Sequence, residues 1–124
     1  MKNKGIHIIA DLYDCDFSYQ IEKHSLESIV EQVKSIVSDG GFTILGTLHH
    51  SFGKNAFSIV CMLAESHISI HTWPERGYVS FDIHTCNYTL DNTSGTERIY
   101  DKLTRMFDPK EVKKDVIVRS MNER

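Results

Sequence analysis

Short runs in which apolar and polar residues alternate recur along almost the whole chain, and this period of two restricts the fold more than any other feature. Ile6, Ile8 and Ala10 alternate with His7, Ile9 and Asp11, which predicts a first strand with one face well buried. Phe42 to Leu48 and Ala56 to Leu63 predict two further strands around the connection His-Ser-Phe-Gly-Lys-Asn. Ile68-Ser-Ile-His-Thr-Trp continues the pattern, Pro74 and Gly77 punctuate it, and Tyr78 to Thr85 alternates again. Val112, Val116 and Val118 predict a last strand. Two segments change to helical spacing. Leu26, Ile29, Val30, Val33, Ile36 and Val37 predict a helix that Ser25 and Ser28 can cap and Gly40-Gly41 can stop. A second runs from about Thr93 to Phe107 with Ile99, Leu103 and Met106 on one side, closed by Pro109. The order β-α-β-β-β-β-α-β implies an α+β fold, a two-layer sandwich in which a mostly antiparallel sheet carries both helices on one face. The uncovered sheet face then needs a partner, which favours a homodimer.

A chain of 124 residues is one domain's worth, so residues 1–124 are expected to form a single domain around one core. The net charge of −3 gives no reason to expect nucleic acid or an anionic membrane surface as a partner. No apolar run approaches the roughly 18 residues of a membrane-spanning helix, and Met1-Lys-Asn-Lys leads into a strand pattern instead of a signal sequence. A cytoplasmic location is expected. Cys15, Cys61 and Cys86 are odd in number and lack paired spacing, so reduced thiols are expected, with Cys15 and Cys61 as small buried hydrophobes.

The stretch Ala64 to Glu75 concentrates two histidines, two serines, a tryptophan and two glutamates in one alternating run. Alternation by itself asks only for a half-buried strand with His67, Ser69 and His71 on its polar side. A metal site draws some support from His49, His50, His67, His71 and His84, but the zinc spacings are missing. A Ser/His/Asp hydrolase lacks its strand-turn-helix elbow. Self-processing at Glu65-Ser66, with the hydroxyl attacking the preceding carbonyl and a histidine moving protons, is the fourth reading, and residue pattern alone does not choose among them.

Ala64-Glu-Ser-His-Ile-Ser-Ile-His-Thr-Trp-Pro-Glu75, followed by Gly77-Tyr78, Asp82 and Thr85-Cys86, strongly resembles the prokaryotic pyruvoyl-dependent S-adenosylmethionine decarboxylase proenzymes. The resemblance takes in Gly5-Ile-His, Leu12-Tyr13, Cys15, Phe52 and Ser58 and so covers nearly the whole chain. It implies cleavage between Glu65 and Ser66 into chains of residues 1–65 and 66–124. Ser66 would become the pyruvoyl cofactor through an ester and a dehydroalanine, with loss of ammonia. His71 would serve the elimination, Ser58 would assist processing, and Cys86 would return a proton to the substrate carbon after carbon dioxide leaves. The pyruvoyl ketone, forming an imine with the substrate's amino group, takes the place of pyridoxal phosphate, and no metal is needed. The implied role is supply of decarboxylated S-adenosylmethionine, the aminopropyl donor of spermidine and other polyamines, by a homodimer of processed protomers.

Phe52 and Trp73 offer π faces for an adenine and a sulfonium, worth roughly 0.5–2 kcal/mol, although Trp73 equally suits core packing. Glu75 resembles the residue that holds the ribose hydroxyls. Two departures bear on substrate. The family usually reads Ser-Pro-Gln-Gly-Val where this chain has Gly53-Lys54-Asn55-Ala56-Phe57, and tyrosine is more familiar at Arg76. The alternatives are a pyruvoyl-dependent arginine or ornithine decarboxylase, and an unprocessed regulatory paralogue, against which Ser66, His71 and Cys86 together argue. Ser66 and His71 are five residues apart, so along a straight strand they would lie roughly 16 Å apart on opposite faces. Either the strand turns sharply after Ser66, or His71 acts on the partner chain's Ser66, and the second is expected.

Overall fold

A computed structural model describes residues 4–17, 25–87 and 91–120. In chain order the elements are β1 (Lys4–Tyr13), α1 (Leu26–Asp39), β2 (Ile44–Gly53), β3 (Ala56–Leu63), β4 (His67–Trp73), a 3-10 turn (Pro74–Arg76), β5 (Tyr78–Asn87), α2 (Thr93–Phe107) and β6 (Glu111–Ser120). The strands form one six-stranded sheet in the order β2-β3-β4-β5-β1-β6, and every pairing among them is antiparallel. The expected α+β sandwich with both helices on one face is the one observed.

Alternation decides the two faces. Ile6, Ile8, Ala10 and Leu12 of β1, Ile68 and Ile70 of β4, and Val79, Phe81 and Ile83 of β5 are all buried in one core with Val33, Val37, Ile99 and Leu103 of the helices. The residues between them look out from the other face, where Ile9, Leu48, Val60, Met62 and Ile117 are exposed. Ser25 caps α1 by accepting from the Ser28 N–H at 3.2 Å, and Gly40 and Gly41 end it, the latter at φ 92°. The α1 end lies hard against the start of α2, because a Cβ on Gly95 would sit 2.1 Å from the Gly40 carbonyl oxygen.

Strand ends differ from expectation by two residues at the start of β2 and at the end of β5, and by more at the end of β2. β2 runs on to Gly53, so the β2–β3 connection shrinks from six residues to Lys54-Asn55. Gly53 at φ 140° and Asn55 at φ 62° take the positive-φ conformations that such a tight turn requires. The chain order also crosses the spatial order: β1 lies between β5 and β6, although β5 and β6 both come from residues beyond 66.

Candidate functional site

The sheet brings Phe52, Ser58, His71, Trp73 and Glu75 into one cleft of about 410 Å³, completed by Ala56 and Thr72. Ser58 and His71 are register partners on β3 and β4, and the Ser58 hydroxyl lies 2.7 Å from His71 Nδ1. Thr72, buried on the opposite face, fixes this corner: its hydroxyl donates to Asn55 O at 2.6 Å and accepts from the Phe57 N–H at 2.9 Å. Trp73 remains 40% exposed and Phe52 68% exposed, so neither ring is core packing. An aromatic row continues from Trp73 to Tyr78 (centroids 5.2 Å apart) and Tyr13 (5.5 Å). The Tyr78 hydroxyl donates to Asp11, and burial together with that acidic neighbour pushes its pKa up to about 12.

Ser66 and Cys86 lie outside this cleft. The turn falls before Ser66 and not after it: Leu63 N–H donates to Ser66 O at 2.8 Å and Ser66 N–H to Leu63 O at 3.4 Å, leaving Ala64 and Glu65 as an exposed two-residue loop. β4 then runs straight from His67 to Trp73. His71 shares the open face with His67 and Ser69, and Ser66 sits at the other end of the strand. His67 is paired with His84 of β5, and Cys86, half-buried, is two residues further along the same open face. The Cys86 carbonyl accepts from Asn92 Nδ2 at 2.8 Å, and the Asn92 N–H donates to Asn87 Oδ1 at 2.7 Å, which ties the end of β5 to the start of α2. Burial raises the Cys15 and Cys61 thiols, Cys15 to about 11, which keeps both protonated at neutral pH.

Between the two groups lies a network that residue spacing did not reveal. Asp82 Oδ1 accepts from the Ser69 hydroxyl, while Oδ2 accepts from His7 Nε2 at 2.8 Å and His67 Nε2 at 3.2 Å. His84 stacks on His7 with centroids 4.9 Å apart. Burial works against the Asp82 charge, but the bonds from Ser69, His7 and His67 outweigh it and hold the carboxyl below its ordinary value. Burial first, and then the neighbours His7, Arg119 and His67, hold His84 below the usual histidine value. The ligand atoms of His7, His67 and Asp82 lie within 4.8 Å of one another. Arg119 Nη1, 3.4 Å from His7 Nδ1, favours the tautomer whose Nε2 carries a proton for Asp82, so the trio is satisfied by its own hydrogen bonds. Polar residues at mid-strand on three adjacent strands were the sequence signal for this network, since such groups need partners.

A known decarboxylase shares this sheet with its two helices. The crystal structure of the adenosylmethionine decarboxylase from Aquifex aeolicus VF5 matches with a TM-score of 0.81 and 33% identity, covering 99% of this chain and 96% of that one. The profile of the family described as S-adenosylmethionine decarboxylase matches residues 6–120. An S-adenosylmethionine decarboxylase proenzyme from Clostridium botulinum (strain Loch Maree / Type A3) is 38% identical over 92 residues, 74% of this chain and 77% of that protein. The proenzyme of Carboxydothermus hydrogenoformans is 34% identical over 124 residues, 99% of this chain and 95% of its own length. This chain belongs to the S-adenosylmethionine decarboxylase family.

Proposed function

We propose that this chain is a proenzyme that cuts itself between Glu65 and Ser66 and then, as a cytoplasmic homodimer, decarboxylates S-adenosylmethionine for polyamine synthesis. The observation that carries this reading is the gathering of Phe52, Trp73 and Glu75 around the Ser58–His71 pair in a single cleft. Two aromatic faces suit an adenine and a sulfonium, and the carboxylate of Glu75, with no Lys or Arg among the described lining residues, suits ribose hydroxyls beside a cationic sulfur. The aromatic pair favours this substrate over arginine or ornithine, which have no ring to stack.

In processing, the Ser66 hydroxyl adds to the Glu65 carbonyl carbon and the peptide C–N bond becomes a C–O ester, freeing the Ser66 nitrogen. Loss of the Ser66 α-proton expels the Glu65 carboxylate, and water then replaces the nitrogen, which leaves as ammonia. His71, with Ser58 on its Nδ1, is the proton acceptor in this scheme. The local backbone fits such a terminal group. Conversion removes the donor of the long 3.4 Å bond and keeps the Ser66 carbonyl that accepts the 2.8 Å one. Once formed, a pyruvoyl group supplies a ketone as electron sink, with no need for pyridoxal phosphate or metal in the bond-breaking step. Cys86 holds the proton that returns to carbon. The other two thiols belong to the core: Cys61 lies within it and Cys15 packs against it.

Cys86 at one end of the open face, by the strand end that Ser66 precedes, and the cleft at the other end support a site completed by two chains, since a twofold axis sets each end against its opposite. The exposed apolar residues Ile9, Leu48, Val60, Met62 and Ile117 would be covered in that pairing. Purified protein assayed for carbon dioxide release from S-adenosylmethionine, arginine and ornithine tests the reading. Release from S-adenosylmethionine by protein cut into residues 1–65 and 66–124 is expected; release only from a basic amino acid, or full activity of an uncut chain, would refute it.

A further inference from the structure

We propose that Asp82 is a positioning residue for the pyruvoyl end, acting through the His67 side chain. The inference rests on the proposed cut at Glu65–Ser66. After that cut, residue 66 has lost both its covalent tether to β3 and its N–H. What still holds it is the Leu63 N–H on the Ser66 carbonyl, at 2.8 Å, and whatever fixes His67, the residue directly attached. His67 is paired through its backbone with Met62 and His84, but terminal residues of a strand fray most readily. Its side chain supplies a further anchor, because Nε2 lies 3.2 Å from Asp82 Oδ2.

Asp82 is suited to the task because it cannot follow a fraying strand end. Its Oδ1 holds Ser69 further along β4, and its Oδ2 holds His7 of β1, so it joins three neighbouring strands. It is only 24% exposed, which shields these bonds from competing water. No atom of Asp82 lines the substrate cleft. Its effect on the reaction therefore runs through the aim of the reacting group, and misplacement of a reacting group by about 1 Å can cost up to a hundredfold in rate.

The test uses the cut enzyme and the variants His67→Leu, His67→Gln and Asp82→Asn. Glutamine places an N–H close to the position of imidazole Nε2, and leucine cannot donate. In His67→Leu, kcat is expected to fall about tenfold or more with KM changed less than about twofold. Deuterium exchange at the Leu63 amide should accelerate while that of Ile8, on the interior strand β1, stays the same. His67→Gln should restore both readouts. Adding His67→Leu to Asp82→Asn should change neither further, as expected of two groups acting as a unit. If Asp82→Asn does not fold, the leucine and glutamine pair decides alone. Unchanged kcat and Leu63 exchange in a cut His67→Leu enzyme would overturn the inference, as would equal losses in Leu and Gln. A wild-type chain that is never cut would instead overturn the proposed processing, and intact mass separates the two outcomes.

Discussion

Ser58 and His71 sit opposite each other at 2.7 Å, and in the proposed processing they serve a hydroxyl that neither can reach along its own strand. On the proposed chemistry, Ser66→Ala removes the attacking oxygen, so intact mass should show one chain where the wild type gives residues 1–65 and 66–124. Cys86→Ala should still be cut, yet turn over slowly and inactivate as the wrong carbon is protonated, whereas Cys15→Ala should do little. Asp82 makes a prediction about pH. Its carboxyl is more acidic folded than unfolded, so its bonds contribute stability that is complete above the unfolded value near 3.9 and is lost as pH falls through the lower folded value. The wild-type melting temperature should therefore drop more steeply below about pH 4 than that of Asp82→Asn, which lacks the group. At neutral pH the same substitution should cost about 1.5–3 kcal/mol, the usual range for hydrogen bonds to a charged group.

Helix α1 reaches α2 through two glycines, and that contact leaves no room for a methyl group. A Cβ on Gly95 would come 2.1 Å from the Gly40 oxygen, so the backbones would have to part. Gly95→Ala is expected to cost about 1–3 kcal/mol in a denaturant melt, more than its gain in helix propensity returns. Both helices and the existence of all six strands were legible in the sequence, because burial on one side only writes its period into the residues. The end of β2 was not. Phe52 and Gly53 continue the strand beyond Leu48 because Asn55 accepts a positive φ and turns the chain in two residues, a signal carried by a few atoms and no periodicity. The turn at Ala64-Glu65 was hidden for the opposite reason: neither residue is a turn former, and the hairpin there follows from the pairing of β3 with β4. Of the site, the residues and their roles came through family resemblance. The network of His7, His67, Ser69 and Asp82 joins positions up to 75 apart, and such distances appear only when the strand order is known.

At the scale of the whole molecule, the separation of Ser66 from the cleft predicts that two defective chains can mend each other. Co-expression of tagged Ser66→Ala with His71→Ala should yield a mixed dimer in which the His71→Ala chain is cut and partial activity returns; a mixed dimer with no cut chain would place the site within one protomer. The strand order carries another consequence. Residues 1–65 supply β1, β2 and β3, and β1 runs between β5 and β6 of the other piece. The proposed cut thus leaves two polypeptides woven through one another, joined by backbone ladders on both sides of β1. Dilution alone should never separate them. Denaturation changes the molecularity of the problem: the precursor finds its fold by a unimolecular search, whereas the cut enzyme must reunite two strangers at a rate set by concentration. Recovery of the sheet around β1 should therefore be second order in the cut enzyme where in Ser66→Ala it is first order, the pairing of protomers being a bimolecular step in both.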